Sequence, residues 1–187
     1  MKKLLLTLAT TFFTVAYGSA QEITFTTTKA IGERVQLNIT SDGGFTIEGV
    51  QEIAVDGYHG YTLTDSKVTL KGRILELSAI YNQINTLDVR QMPGLNVLDI
   101  YGNPVSALDL SLNKELTILV AGGTELTSLD ITNCEKLQQL NVNSCKIPVI
   151  DFSKSKNLEI IFAKSAGFKE LNLNRTESIE IQFLKSC

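Results

Sequence analysis

Tryptophan is absent from the 187 residues, histidine occurs once, and cysteine and proline three times each. With one histidine, any Cys–His or Ser–His pair would have to use His59. That residue lies in Gly57-Tyr58-His59-Gly60-Tyr61, a turn-like stretch where a polar loop residue needs no catalytic role. Neither a glycine-rich phosphate loop nor a nucleophile elbow occurs. Cys134, Cys145 and Cys187 form no CxxC pair and have no histidine nearby, which argues against a zinc site. The reading is therefore non-catalytic and free of cofactors. An excess of basic residues is also missing. The chain carries 17 Lys and Arg against 20 Asp and Glu, a formal net charge of −3. Such a chain gains nothing from neutralising phosphates, so nucleic acid and anionic membrane surfaces are excluded as expected partners.

Long apolar runs are missing too, except at the start. Leu4 to Ala16 is apolar but too short to span a bilayer comfortably. Lys2 and Lys3 precede it and Gly18-Ser19-Ala20 follows it, the pattern of a secretory signal peptide covering residues 1–20 and removed after Ala20. Export to the periplasm, the outer surface or the medium is expected, without membrane insertion. A bacterial lipid anchor would need a cysteine near that site, and none is there.

What the chain does have is a repeat. Leu95-Asn-Val-Leu98-Asp-Ile100-Tyr-Gly-Asn103-Pro-Val105 has the form LxxLxLxxNxL. Its register recurs from Ile74, Leu95, Leu116, Leu137, Leu158 and Ile179, every 21 residues. A nested series starts at Ile84, Val105, Leu126, Ile147 and Phe168, at the same step. Its members read Ile84-xx-Leu87-Asp-Val89, Val105-xx-Leu108-Asp-Leu110, Leu126-xx-Leu129-Asp-Ile131, Ile147-xx-Ile150-Asp-Phe152 and Phe168-xx-Leu171-Asn-Leu173. Of the core positions so defined, all but Gln182 are apolar, although apolar residues make up only 43% of the chain.

Each coil then offers one short strand from each half, with alternate side chains in and out. Neighbouring coils stack at about 4.8 Å, so equivalent positions form columns. The expected fold is a leucine-rich repeat solenoid, mainly β, with short strands on both sides of each coil, over 74–187 (about 5.5 repeats of 21 residues). A flat, weakly curved slab is expected, since neither half has room for a long helix. The pattern resembles the short, nested leucine-rich repeat class of exported bacterial proteins, internalin-like in a broad sense. That resemblance implies binding, with adhesion or host interaction as typical roles. The pattern is broken at the asparagine position, which reads Asn82, Asn103, Thr124, Cys145, Ala166, Cys187. Later turns must satisfy their backbone groups differently. Cys145 and Cys187 stand two coils, about 10 Å, apart, too far for a disulfide.

Residues 21–73 differ. Ile23-Thr-Phe25-Thr, Val35-Gln-Leu37-Asn-Ile39, Phe45-Thr-Ile47 and Val68-Thr-Leu70 alternate as strands do, with Asp42-Gly43-Gly44 as a turn. This segment is read as a small N-terminal β capping module that covers the first coil's strand edges. At the other end, the register around Gln182 is ambiguous: a one-residue shift would bury Ile181 and Phe183 instead.

Two surface features are candidates for function. The column Asp88, Asp109, Asp130, Asp151 (then Asn172) places carboxylates one coil apart. Calcium could relieve their repulsion, but Ser111, Thr132 and Ser153 offer hydroxyl donors along the ladder and a structural role suffices. On the first-half strands, Val97, Tyr101, Ile118, Val120, Ile160 and Phe162, with Lys164 and Phe183, form an outward apolar strip interrupted by Gln139 and Asn141. Such strips suit a partner, a protein or a glycan. The expected function is an exported, non-catalytic recognition module. The alternative is a self-associating structural or biofilm element, a homo-oligomer stacked through its last coil.

Overall fold

The computed structural model describes residues 21–55, 58–169 and 180–182, with side chains described at 21–53 and 60–169. The segment read as a signal peptide, the Leu171-Asn172-Leu173 half-coil, Phe183, Cys187 and the His59 side chain lie outside the described residues.

The chain is a β-solenoid, without a helix among the described residues. β1 (Glu22–Thr27), β2 (Arg34–Val35), β3 (Asn38–Glu48), β4 (Val50–Val55) and β5 (Tyr58–Leu63) precede β6 (Lys67–Ser78), the first strand of the coils. β7 (Ile84–Asp88) is the second half of the first coil. The later coils contribute β8 (Val97–Asp99), β9 (Ile118–Val120), β10 (Gln139–Asn141), β11 (Ile160–Phe162) and β12 (Glu180–Gln182). One nine-stranded sheet runs β12-β11-β10-β9-β8-β6-β1-β7, with β3 also on β6, and β2-β5-β4 form a second sheet.

The coil strands pair in parallel and in register: Leu77 with Leu98, Leu98 with Leu119, Leu119 with Leu140, Leu140 with Ile161. Each of these central residues is fully buried. Burying one such side chain stabilises by about 1.5–3 kcal/mol, and the columns join Val35, Leu37 and Leu63 of the N-terminal segment in one core. The last step is shorter. Ile161 pairs with Ile181, so the register advances by 20 residues at this step instead of 21. Gln182 pairs with Phe162 on the outward column that the 21-residue count assigns to Phe183.

Strands on both sides of each coil are not found. Among the described residues, the second halves after β7 form no strand. Coil-to-coil backbone hydrogen bonds there are Glu125 N to Val105 O, Lys146 N to Leu126 O, Ile147 N to Ala166 O and Lys169 N to Pro148 O. Asp109, Asp130 and Asp151 each accept the backbone N–H two residues on, from Ser111, Thr132 and Ser153, and so close each of these halves with an Asx turn. The same turn ends the laddered strands β7 and β8, at Asp88 and Asp99.

β3 pairs antiparallel with β6 from Asn38–Ser78 to Glu48–Thr69, so the boundary expected between 73 and 74 falls inside one continuous strand. Asp42-Gly43-Gly44 is not a chain-reversing turn. Ser41 faces Ile74 and Phe45 faces Gly72, so the three residues bulge opposite Arg73 alone. Gly43 takes φ +106 there, and Arg73 reaches across to Asp42 at 2.6 Å. The first turn asparagine is also tied to this segment. Asn82 Oδ1 accepts Gln36 N–H and its Nδ2 donates to Gln36 O.

In the next coil, the fully buried Asn103 accepts from Asn82 N and Ile84 N and donates to Ala79 O and Ile100 O. Thr124, one coil on, donates only to Ala121 O, and Cys145 Sγ also reaches Ala121 O. Asn103→Ala is therefore expected to lower the unfolding free energy by about 3 kcal/mol, because it strands several buried backbone groups, against about 1 kcal/mol for Thr124→Ala. Urea titration of both variants checks the difference.

Candidate functional site

The outward side of the coil strands carries two columns set by the same register. One runs Thr40, Glu76, Val97, Ile118, Gln139, Ile160, and the other Asn38, Ser78, Asp99, Val120, Asn141, Phe162. A strand projects alternate residues to one face, and here the inward residue between each outward pair is a buried Leu or Ile. Val97, Ile118, Val120, Ile160 and Phe162 are half-buried, because each side chain is flanked by its neighbours in the column. Lys164 is exposed. The polar members hold the strand ends. Asp99 accepts Tyr101 N–H, Asn141 accepts Asn143 N–H, and Asn143 accepts Lys164 N–H in the next coil.

Beyond the strands the chain turns through a left-handed column: Tyr81, Gly102, Gly123, Ser144 and Ser165 all have φ between +52 and +69. Gly102, and Gly122 beside the column, serve a second need. A Cβ on Gly102 would stand 2.3 Å from the Tyr81 ring, and one on Gly122 would stand 2.9 Å from the Tyr101 ring. Each tyrosine leans over a glycine of the next coil. The two rings meet edge to face at 5.6 Å, a favourable geometry for aromatic pairs. Tyr81 is 64% exposed, whereas the described apolar members of the expected strip are half-buried. Sequence reasoning missed it, since the apolar count ignores turn positions. The available signal was a tyrosine in the column whose next two members are glycine.

The aspartate column is real, and a groove of about 390 Å3 borders Asp88, Asp109 and Asp130. Its carboxylates are engaged within their own coils, not along the ladder. Asp88 takes a two-pronged contact from Arg90. The Arg90 side chain first, then its backbone N–H, hold the Asp88 carboxyl below its usual range. Ser111 does the same for Asp109, Thr132 for Asp130, and the Ser153 backbone for Asp151. Among the described residues no group of three or more His, Cys, Asp or Glu could hold a metal ion. Cys134 and Cys145 are free and buried. Burial, then Asp130, pushes the Cys134 thiol up to about 11, far from a reactive thiolate. His59 is placed only by its backbone, which pairs with Ala54. Among the described residues no helix is long and apolar enough to cross a membrane.

Register, buried aliphatic columns and asparagine-closed turns define a leucine-rich repeat solenoid. No protein-family model matches the sequence, and no curated protein matches it. Among solved structures it is similar to the functional domain of InlJ from Listeria monocytogenes, described as including a cysteine ladder. The two share 24% sequence identity, with a TM-score of 0.47 over 52% of this chain and 27% of that one. This chain thus covers little more than a quarter of that one.

Two outcomes follow. Gly102→Ala is expected to cost about 2 kcal/mol, from the left-handed φ and the ring contact. Adding Tyr81→Ala should recover about half, and a double-mutant cycle on thermal or urea unfolding measures this coupling. The depressed aspartate pKa values stabilise the fold above the ordinary value of 3.8, and that stability is lost as pH falls through the lowered values. The unfolding midpoint should fall on acidification below pH 3.8, and less steeply in Asp109→Asn/Asp130→Asn.

Proposed function

We propose that this protein is an exported, non-catalytic recognition module that binds a protein or glycan partner through the outward face of β8–β11. The observation that carries the reading is the register itself. Val97, Ile118 and Ile160 stand in one column, Val120 and Phe162 in the other, with Gln139 and Asn141 between them. The face is held by backbone hydrogen bonds on both sides of each strand, so a partner meets a surface that needs little ordering. Aromatic and β-branched side chains beside a lysine suit the centre of such an interface. The exposed Tyr81 and the half-buried Tyr101 extend the same face at its turn edge, where their rings provide rigid contact area. In this reading residues 21–73 act as the cap. β3 covers the edge of the first coil strand, and Gln36 occupies the place that a preceding coil would take at Asn82.

A second reading, self-association, is favoured by one observation. β12 ends the nine-stranded order and has one strand partner, β11, among the described residues. A free strand edge can accept another chain.

Residues 21–187 are screened against protein and glycan panels beside Phe162→Asp and Ile118→Asp. A ligand retained by the wild type should bind at least about tenfold more weakly to either variant, at an unchanged unfolding midpoint, because the substitutions bury a charge at the contact. Unaltered binding by both variants would remove the strand face as the site. Light scattering across a concentration series separates the second reading: a monomer throughout discards stacking.

A further inference from the structure

The corner opposite the tyrosines is built from paired turns. Asn113 N–H donates to Leu110 O and Leu116 N–H to Asn113 O; Cys134 with Leu137, and Ser155 with Leu158, repeat the arrangement. The middle residue of each double turn points into the core. The residues on either side of it point out, and they stack from coil to coil. They form a groove of about 430 Å3 whose cations are Lys114, Lys136, Lys154 and Lys156.

The charges there run against the rest of the chain, whose net charge is −3. Lys136 is paired with Glu115. Lys114, Lys154 and Lys156 are exposed and have no ion-pair partner among the described residues. Lys114 stands beside Asn113 in one coil, and Lys154 and Lys156 flank Ser155 two coils on, about 10 Å further along the solenoid at about 4.8 Å per coil. A lone ammonium group and a pair of them, set about 10 Å apart, favour an anion long enough to reach both over a single compact one. The remaining walls decide which anion. Asn133 and Asn157 offer both donors and acceptors, and Glu135 offers acceptors only. A polyphosphate has no donors to satisfy those acceptors. An acidic sugar chain brings carboxylates for the lysines and hydroxyl donors for the amides and Glu135.

We propose that this groove is a second ligand site, separate from the strand face, for an acidic polysaccharide of the uronate type. Binding is electrostatically steered and sensitive to salt, because the groove is open and its lysines are hydrated.

The test measures binding of polygalacturonate oligomers to residues 21–187 by calorimetry, with dextran and poly-glutamate as neutral and peptide comparisons. The wild type should bind polygalacturonate, more weakly as salt rises, and should prefer it over both comparisons. Lys114→Gln/Lys154→Gln/Lys156→Gln should weaken binding about tenfold or more at an unchanged unfolding midpoint. Asn133→Ala/Asn157→Ala should weaken it several-fold while keeping its salt dependence. Phe162→Asp, on the other face, should leave it unchanged. Failure of the wild type to bind polygalacturonate, equal binding by the lysine variant, or equal affinity for poly-glutamate would each overturn the proposal.

Discussion

Stacking at the strand-to-strand distance governs this molecule. Once β6, β8, β9, β10 and β11 pair in parallel and in register, every position of a coil lies on its equivalent in the next. A single error in coil length would turn the aliphatic columns to the outside. At the last described step the register advances by 20 residues: Ile181 pairs with Ile161, where a 21-residue step would have brought Gln182.

The same stacking creates a problem at each turn, where backbone groups are buried away from water. Asn103 solves it with four hydrogen bonds into its own and the preceding coil. Where the chain substitutes Thr124 and Cys145, Ala121 O is still met. The left-handed turn amides reach carbonyls of the following coil with or without the asparagine: Tyr81 N to Tyr101 O, Gly102 N to Gly122 O, Gly123 N to Asn143 O and Ser144 N to Lys164 O. That part of the turn's hydrogen bonding is independent of the asparagine side chain. Gly102 in the left-handed column and Gly122 beside it also leave room for the tyrosine rings, so the turn's glycines set the surface of the strand face beside it.

The repeat leaves the outward columns free to vary, and both proposed sites use that freedom. One takes the strand face, where β-branched and aromatic residues sit in a rigid frame. The other takes the double-turn corner, where polar residues are tolerated because only the middle residue of each turn is buried. The aspartates occupy neither role. Their carboxylates close Asx turns, which accounts for their recurrence without a bound ion.

The core columns were legible in the sequence because burial imposes a period, and a period survives in a list of letters. Leu98, Leu119, Leu140 and Ile161 announce themselves in this way, as does the outward placement of Val97, Ile118 and Phe162. Closure of the second half was not legible. Leu108-Asp109-Leu110 has the same pattern as Leu87-Asp88-Val89, yet only the first coil's second half meets a partner strand, β1, and forms a ladder among the described residues. Nor did the apolar pattern reveal the three-residue bulge opposite Arg73, the replacement of a missing coil by Gln36, or the exposure of Tyr81 over Gly102. Those features depend on which distant segments meet, and contact between residues tens of positions apart leaves no periodic mark. Local burial pattern thus determined the architecture, while the ends, the turns and the surface were decided by tertiary contact.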